Sequence, residues 1–71
     1  MREYVIRWQQ LDEDGKYNWR YLKAIAFFKD ETSYVGTVSP ELAIRLDEAG
    51  AEWVCWKLDE QDDLNPEMIR I

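Results

Sequence analysis

The sequence predicts a small α+β domain, an antiparallel sheet of three to four strands with one main helix packed on one face, in the order β-β-β-α-β. Three observations predict it. Apolar and polar residues alternate from Glu3 to Leu11 and again from Tyr17 to Tyr21, the period of half-buried strands. Between them, Asp12-Glu13-Asp14-Gly15 has turn chemistry, with Gly15 free to adopt positive φ. Further on, Ser39 to Gly50 reads as one complete helix. Ser39 can cap it, Pro40 sits where a missing N–H costs nothing, Glu41 complements the positive helix start, and Gly50 can close the end.

In the first strand Tyr4, Ile6 and Trp8 share one side, and Arg7 and Gln9 the other. If Leu11 pairs with Lys16, Trp8 faces Trp19, Ile6 faces Tyr21 and Gln10 faces Tyr17. Such aromatic pairs stabilise a hairpin by up to ~1 kcal/mol each. The same register sets Arg7 against Arg20, which a bulge near Gly15 would relieve. Leu22 to Phe28 fits either a continued strand or a helix capped at Asn18. The strand is favoured because the turn needs a partner and Tyr17, Trp19 and Tyr21 alternate. Lys29 to Thr32 is a polar turn. Ser33 to Val38 is β-branched and aromatic, a third strand weakened at Gly36. Within the expected helix, Leu42, Leu46 and Ala49 share the inward face, and Ile44 points outward among Glu41, Asp47 and Glu48. Glu52 to Leu58 reads as the fourth strand, with Val54, Trp56 and Leu58 on one face and Trp53, Cys55 and Lys57 on the other. A sheet covered on one side would leave one of these two Trp at least half exposed. Asp59 to Asp63 is a charged break. Asn65-Pro66 caps a last short turn, and Leu64, Met68 and Ile69 dock back. Residues 1–71 form a single domain, with 59–71 expected as a loosely docked acidic tail.

A chain of 71 residues has a thin core, and its four Trp and four Tyr compensate. No apolar run approaches the ~20 residues of a membrane span, no signal-peptide pattern opens the chain, and the single Cys55 has no disulfide partner. A cytoplasmic address is the expectation. The net charge of −6 is uneven. Residues 1–29 carry six basic side chains against Glu3, Asp12, Glu13 and Asp14, whereas residues 30–71 carry only Arg45, Lys57 and Arg70 against eleven acids. Such a surface repels phosphate and lipid and attracts basic protein.

These residues argue against catalysis. There is no His, and Cys55 has nothing to activate it. Ser39 is spent on capping, and no Gly-rich loop cradles phosphate. The Asp12–Gly15 run resembles half a calcium loop. Placing Gly15 sixth, however, puts Gln10 first and Tyr21 twelfth, without the closing bidentate acid. A lone cysteine makes no zinc site. No cofactor and no metal are expected. Arg7, Arg20 and Lys23 with nearby aromatics offer a small stacking surface, but the overall field is negative, so direct nucleic-acid binding is not expected. What remains is acid mixed with an aromatic or aliphatic anchor: Glu41, Ile44, Asp47 and Glu48 on the expected helix, and Trp53 with Asp59, Glu60, Asp62 and Asp63 beyond it. Closely spaced carboxylates can also imitate a phosphate ladder.

In length, acidity, lone cysteine, aromatic richness and lack of a catalytic set, the chain resembles the small phage-encoded anti-CRISPR inhibitors. The resemblance is one of type, and no motif carries it. It implies a viral protein in a bacterial cytoplasm that blocks the nucleic-acid-binding surface of a protein complex, by bulk or by DNA mimicry. Glu41, Ile44, Asp47, Glu48, Trp53, Asp59, Glu60, Asp62 and Asp63 are then the expected partner-binding residues. The alternative is an acidic interaction subunit or homodimeric accessory domain without mimicry. Salt-indifferent binding, or a homodimer burying Trp53, would favour it.

Overall fold

The first hairpin forms where the alternation places it. In the computed structural model, which describes residues 2–71, β1 (Tyr4–Leu11) pairs antiparallel with β2 (Tyr17–Phe27). The loop is three residues long. Asp12 N donates to Lys16 O at 2.9 Å, and Gly15 adopts φ 79°, the geometry in which a left-handed glycine closes a three-residue hairpin. That loop moves the register by one from the expected pairing. Leu11 faces Tyr17, and Trp8 faces Arg20. Because side chains alternate, one step exchanges the faces of a whole strand. Ile6, Trp8 and Leu22 therefore share the core side, while Tyr17, Trp19 and Tyr21 stand on the other side with Arg7. The expected Trp8–Trp19 pair does not form, and neither does the Arg7–Arg20 clash. Arg20 pairs with Asp12 on one face, and Arg7 pairs with Glu67 at 2.6 Å on the other.

Leu22 to Phe27 continues β2 and pairs with β3 (Thr32–Thr37). A bulge between Leu22 and Ala24 bends the strand. The chain then departs from expectation. Ser39-Pro40 opens only a 3-10 turn, Pro40–Leu42, and the Ser39 side chain makes no cap bond. Ala43 turns extended instead. Ile44 N donates to Leu22 O at 2.9 Å, and Leu46 exchanges bonds with Tyr4 at 2.8 and 2.9 Å. This segment satisfies backbone groups of β1 and β2 that a helix would have left bare, and it tucks Ile44 and Leu46 against the core.

The helix starts later. α1 spans Glu48–Asp62, capped by Asp47, whose carboxylate accepts from Gly50 N at 2.7 Å. Gly50 is thus a first-turn donor rather than a helix end, and a Cβ there would meet Asp47 Oδ1 at 2.8 Å. The expected strand at 52–58 is the middle of this helix. Its inward residues are Ala51, Val54 and Leu58, spaced i, i+3, i+7. α1 ends on Asp63 in the left-handed conformation (φ 53°). Of the expected tail, residues 59–62 complete α1, and β4 (Glu67–Arg70) pairs with β1, setting Met68 opposite Ile6. The sheet order is β3-β2-β1-β4, entirely antiparallel, with α1 across one face.

The core is Ile6, Trp8, Leu22, Ala51, Val54 and Leu58. Trp8 meets Tyr34 edge-on at 5.6 Å and lies against Gly36, where a Cβ would come within 2.9 Å of its ring. Gly36 is therefore a seat for Trp8 rather than simply a weak point. Two polar clamps pin α1 to β3. The Gln61 amide donates to Thr32 O at 2.8 Å and accepts from Thr32 N at 2.9 Å, and Tyr34 O–H donates to Asp62 at 2.7 Å.

Burial, and secondarily the bond to Asp62, push the Tyr34 phenol up from 10.0 to about 12. A raised pKa means that the folded state holds the proton more tightly. The associated stability is complete below pH 10 and is lost as pH rises through about 12. Comparing melts of the native protein and Tyr34→Phe from pH 9 to 11.5 should show their difference shrinking above pH 10. A constant difference would contradict it.

Candidate functional site

The outer face of α1 is built by helix geometry from residues that the strand reading had separated. At 100° per residue, Trp56 points straight away from the sheet. Glu52 and Asp59 flank it on one side, and Trp53 and Glu60 on the other. Trp53 is 47% exposed and Trp56 58%. Trp53 meets Phe27 edge-on at 5.0 Å, and the exposed Phe28 follows it in the chain, so the aromatic surface runs from the helix onto the end of β2. The Lys57 ammonium lies 5.9 Å from the Trp56 ring.

The charge on this face opposes helix stability. From Glu48 to Asp63 there are six acids against Lys57 alone, and the last turn of α1 has no basic residue. Carboxylates at a helix C-terminus face the negative end of its dipole, at a cost of about 0.3–1 kcal/mol each. Two of the four C-terminal carboxylates have local work. Asp59 accepts from Asn65 N at 3.0 Å, Asp62 accepts from Tyr34, and the Asp63 backbone closes the helix. Glu60 has no hydrogen bond or ion pair among the described residues, and neither does Glu52. Their negative charge is uncompensated within the fold.

The nine sequence-predicted site residues thus divide. Trp53, Asp59 and Glu60 come together on the outer face, with Glu48 at its N-terminal end. Asp62 and Asp63 lie at the other end, held by the Tyr34 bond and the helix cap. Asp47 is corrected to a helix cap, and Ile44 to a half-buried residue packed on the core, because the chain there is extended instead of helical. Glu41 belongs to the 3-10 turn, beside a groove on the opposite face of the sheet. Sequence reasoning missed Glu52, Trp56 and Phe27. The i, i+3, i+7 spacing of Ala51, Val54 and Leu58 behind an Asp47 cap could have found the first two.

Cys55 is half-buried beside the core. Burial pushes its thiol up from 9.0 to about 11. At pH 8 the thiolate is then about a hundredfold scarcer than for an ordinary thiol. A disulfide reagent such as DTNB should react slowly with the native chain and at once in urea, and rapid native labelling would contradict this. Among the described residues, no three His, Cys, Asp or Glu side chains gather as metal ligands would, and no helix is long and apolar enough to cross a membrane.

Comparisons with protein-family models, curated proteins and solved structures return no match to this chain.

Proposed function

We propose that this protein is a non-enzymatic inhibitor that lays the acidic outer face of α1 on a basic, nucleic-acid-gripping surface of a protein target. A CRISPR–Cas effector in a bacterial cytoplasm is the target class that the sequence resemblance suggests. The observation that carries the proposal is Trp56: a large aromatic side chain exposed at the centre of a helix face and framed by carboxylates, two of which have no partner inside the fold. Interface energy concentrates in such an aromatic anchor, ringed by polar groups that exclude water. The acids around it steer the face toward Lys and Arg and hold off phosphate. The unfavourable position of Glu60 in the last turn of the helix fits charge kept for binding.

The test uses purified CRISPR effector ribonucleoproteins and a labelled target duplex. A stoichiometric amount of the protein should abolish duplex binding by a susceptible effector. Direct binding to that effector, measured by calorimetry, should weaken between 0.1 and 0.5 M salt. Glu52→Lys combined with Glu60→Lys should restore duplex binding, while Glu60→Lys by itself should raise the melting temperature by a few degrees by removing a clash with the helix dipole. Unimpaired duplex binding by every effector at micromolar protein would refute the assignment to this target class. Salt-indifferent binding would instead favour the acidic interaction subunit.

A further inference from the structure

Among the described residues no α-helix or second sheet covers the face opposite α1, which is bordered by the 3-10 turn at Pro40–Leu42 and lies outside the proposed inhibitory surface. Tyr17, Trp19 and Tyr21 alternate along it on β2, flanked by Val35 on β3 and by Val5 and Ile69 on β1 and β4. Tyr17 is 65% exposed and Val35 53%. A sheet normally buries such a face, and monomers seldom leave more than a few hundred Å² of contiguous apolar surface in water. Near its centre Arg7 and Glu67 neutralise each other. Arg7 bonds to Glu67 at 2.6 Å while its guanidinium stacks over the Trp19 ring at 3.8 Å. Toward one end of this face lies a groove of about 360 Å³, lined by Val5, Tyr21 and Ile69 together with Glu41, Arg45 and Arg70.

We propose that this face is a homodimer interface, packing the open sheets of two copies against each other with the two helices outward. Three features select a second copy. First, size: the molecule is a slab of 38 × 31 × 17 Å, whose broad side has room for the ~800 Å² per partner of a standard interface. Second, charge: α1 carries five acids against one lysine and would repel its own copy, whereas the sheet face is nearly neutral at its centre and approaches itself without that penalty. A nucleic acid would instead meet a chain of net charge −6, with Arg7 already committed to Glu67. Third, shape: a two-fold axis between the sheets and perpendicular to the strands sets the protruding Leu11–Tyr17 end of one copy over the groove of the other. The contact is then isologous, each copy offering the same patch. Two sheets packed about 10 Å apart bury both faces, and the dimer carries an acidic helix on each outer side.

Sedimentation equilibrium from 1 to 200 µM tests this, because the chain mass of 8.6 kDa separates monomer from dimer. The expected result is a dimer that persists in 0.5 M salt, since its contact is apolar. Val35→Lys and, separately, Leu11→Lys should each raise the dissociation constant at least tenfold. Circular dichroism melts show which of the two variants remains folded. Trp56→Lys should leave the dimer intact. An 8.6 kDa species at every concentration would overturn the proposal. So would a dimer indifferent to whichever sheet-face variant folds, or one broken by Trp56→Lys. A twelve-residue oligothymidylate that binds the native chain and loses that binding in Val35→Lys would assign the face to single strands and overturn it as well.

Discussion

Trp8→Ala is expected to leave most of the chain unfolded at 37 °C. Trp8 is the largest fully buried side chain, and its ring is held by Tyr34 on one strand and by Gly36 two residues further along it. Removing it empties the space between β1 and β3, and truncation of a buried Trp costs about 3–5 kcal/mol. A domain this small has roughly that much stability in total. The indole N–H is satisfied by Gln10 at 3.4 Å, so the position tolerates a ring but not a gap. Trp8→Phe should therefore melt well above Trp8→Ala. Urea unfolding followed by circular dichroism measures both, and a Trp8→Ala variant as stable as the native chain would refute this account of the core.

The second large effect belongs to the helix face. Trp56→Ala is expected to leave folding stability within about 0.5 kcal/mol, as surface substitutions do. Its ring is mostly in water, with the Lys57 ammonium 5.9 Å from its centre. Binding to the target should nevertheless fall by at least thirtyfold, the loss of about 2 kcal/mol typical of an interfacial anchor. Trp53→Ala should cost some stability too, because Trp53 also packs on Phe27. The contrast distinguishes a residue that serves only a partner from one that also serves the fold. Calorimetry against a susceptible effector, beside thermal melts of each variant, measures both quantities. Equal binding by the native chain and Trp56→Ala would remove α1 from the proposed interface.

The reason the site was only partly legible lies in residues 39–58. Ser39-Pro40-Glu41 and Asp47-Glu48 are both competent helix starts, and Gly50 suits either a helix end or a first-turn donor. A cap contributes about 1 kcal/mol, too little to choose between them. Trp53 through Leu58 fits period 2 through Val54, Trp56 and Leu58, yet Val54 and Leu58 also fit a helical face with Ala51. Read as a strand, this stretch puts the two Trp on opposite faces, with one of them at least half exposed. As a helix, it exposes both Trp and gathers Glu52, Asp59 and Glu60 around them.

The sequence by itself determined the α+β class, the first hairpin, the third strand and the left-handed glycine at its turn, because period-2 alternation and Asp-Gly chemistry act over a few neighbouring residues. Tertiary structure decided the hairpin register, the place of the helix and the face on which each aromatic stands. The groups that settled these lie far apart in the chain. Tyr4 and Leu22 offered backbone bonds that Ile44 and Leu46 could meet only by staying extended, and an unpaired buried backbone group costs more than any local preference contributes.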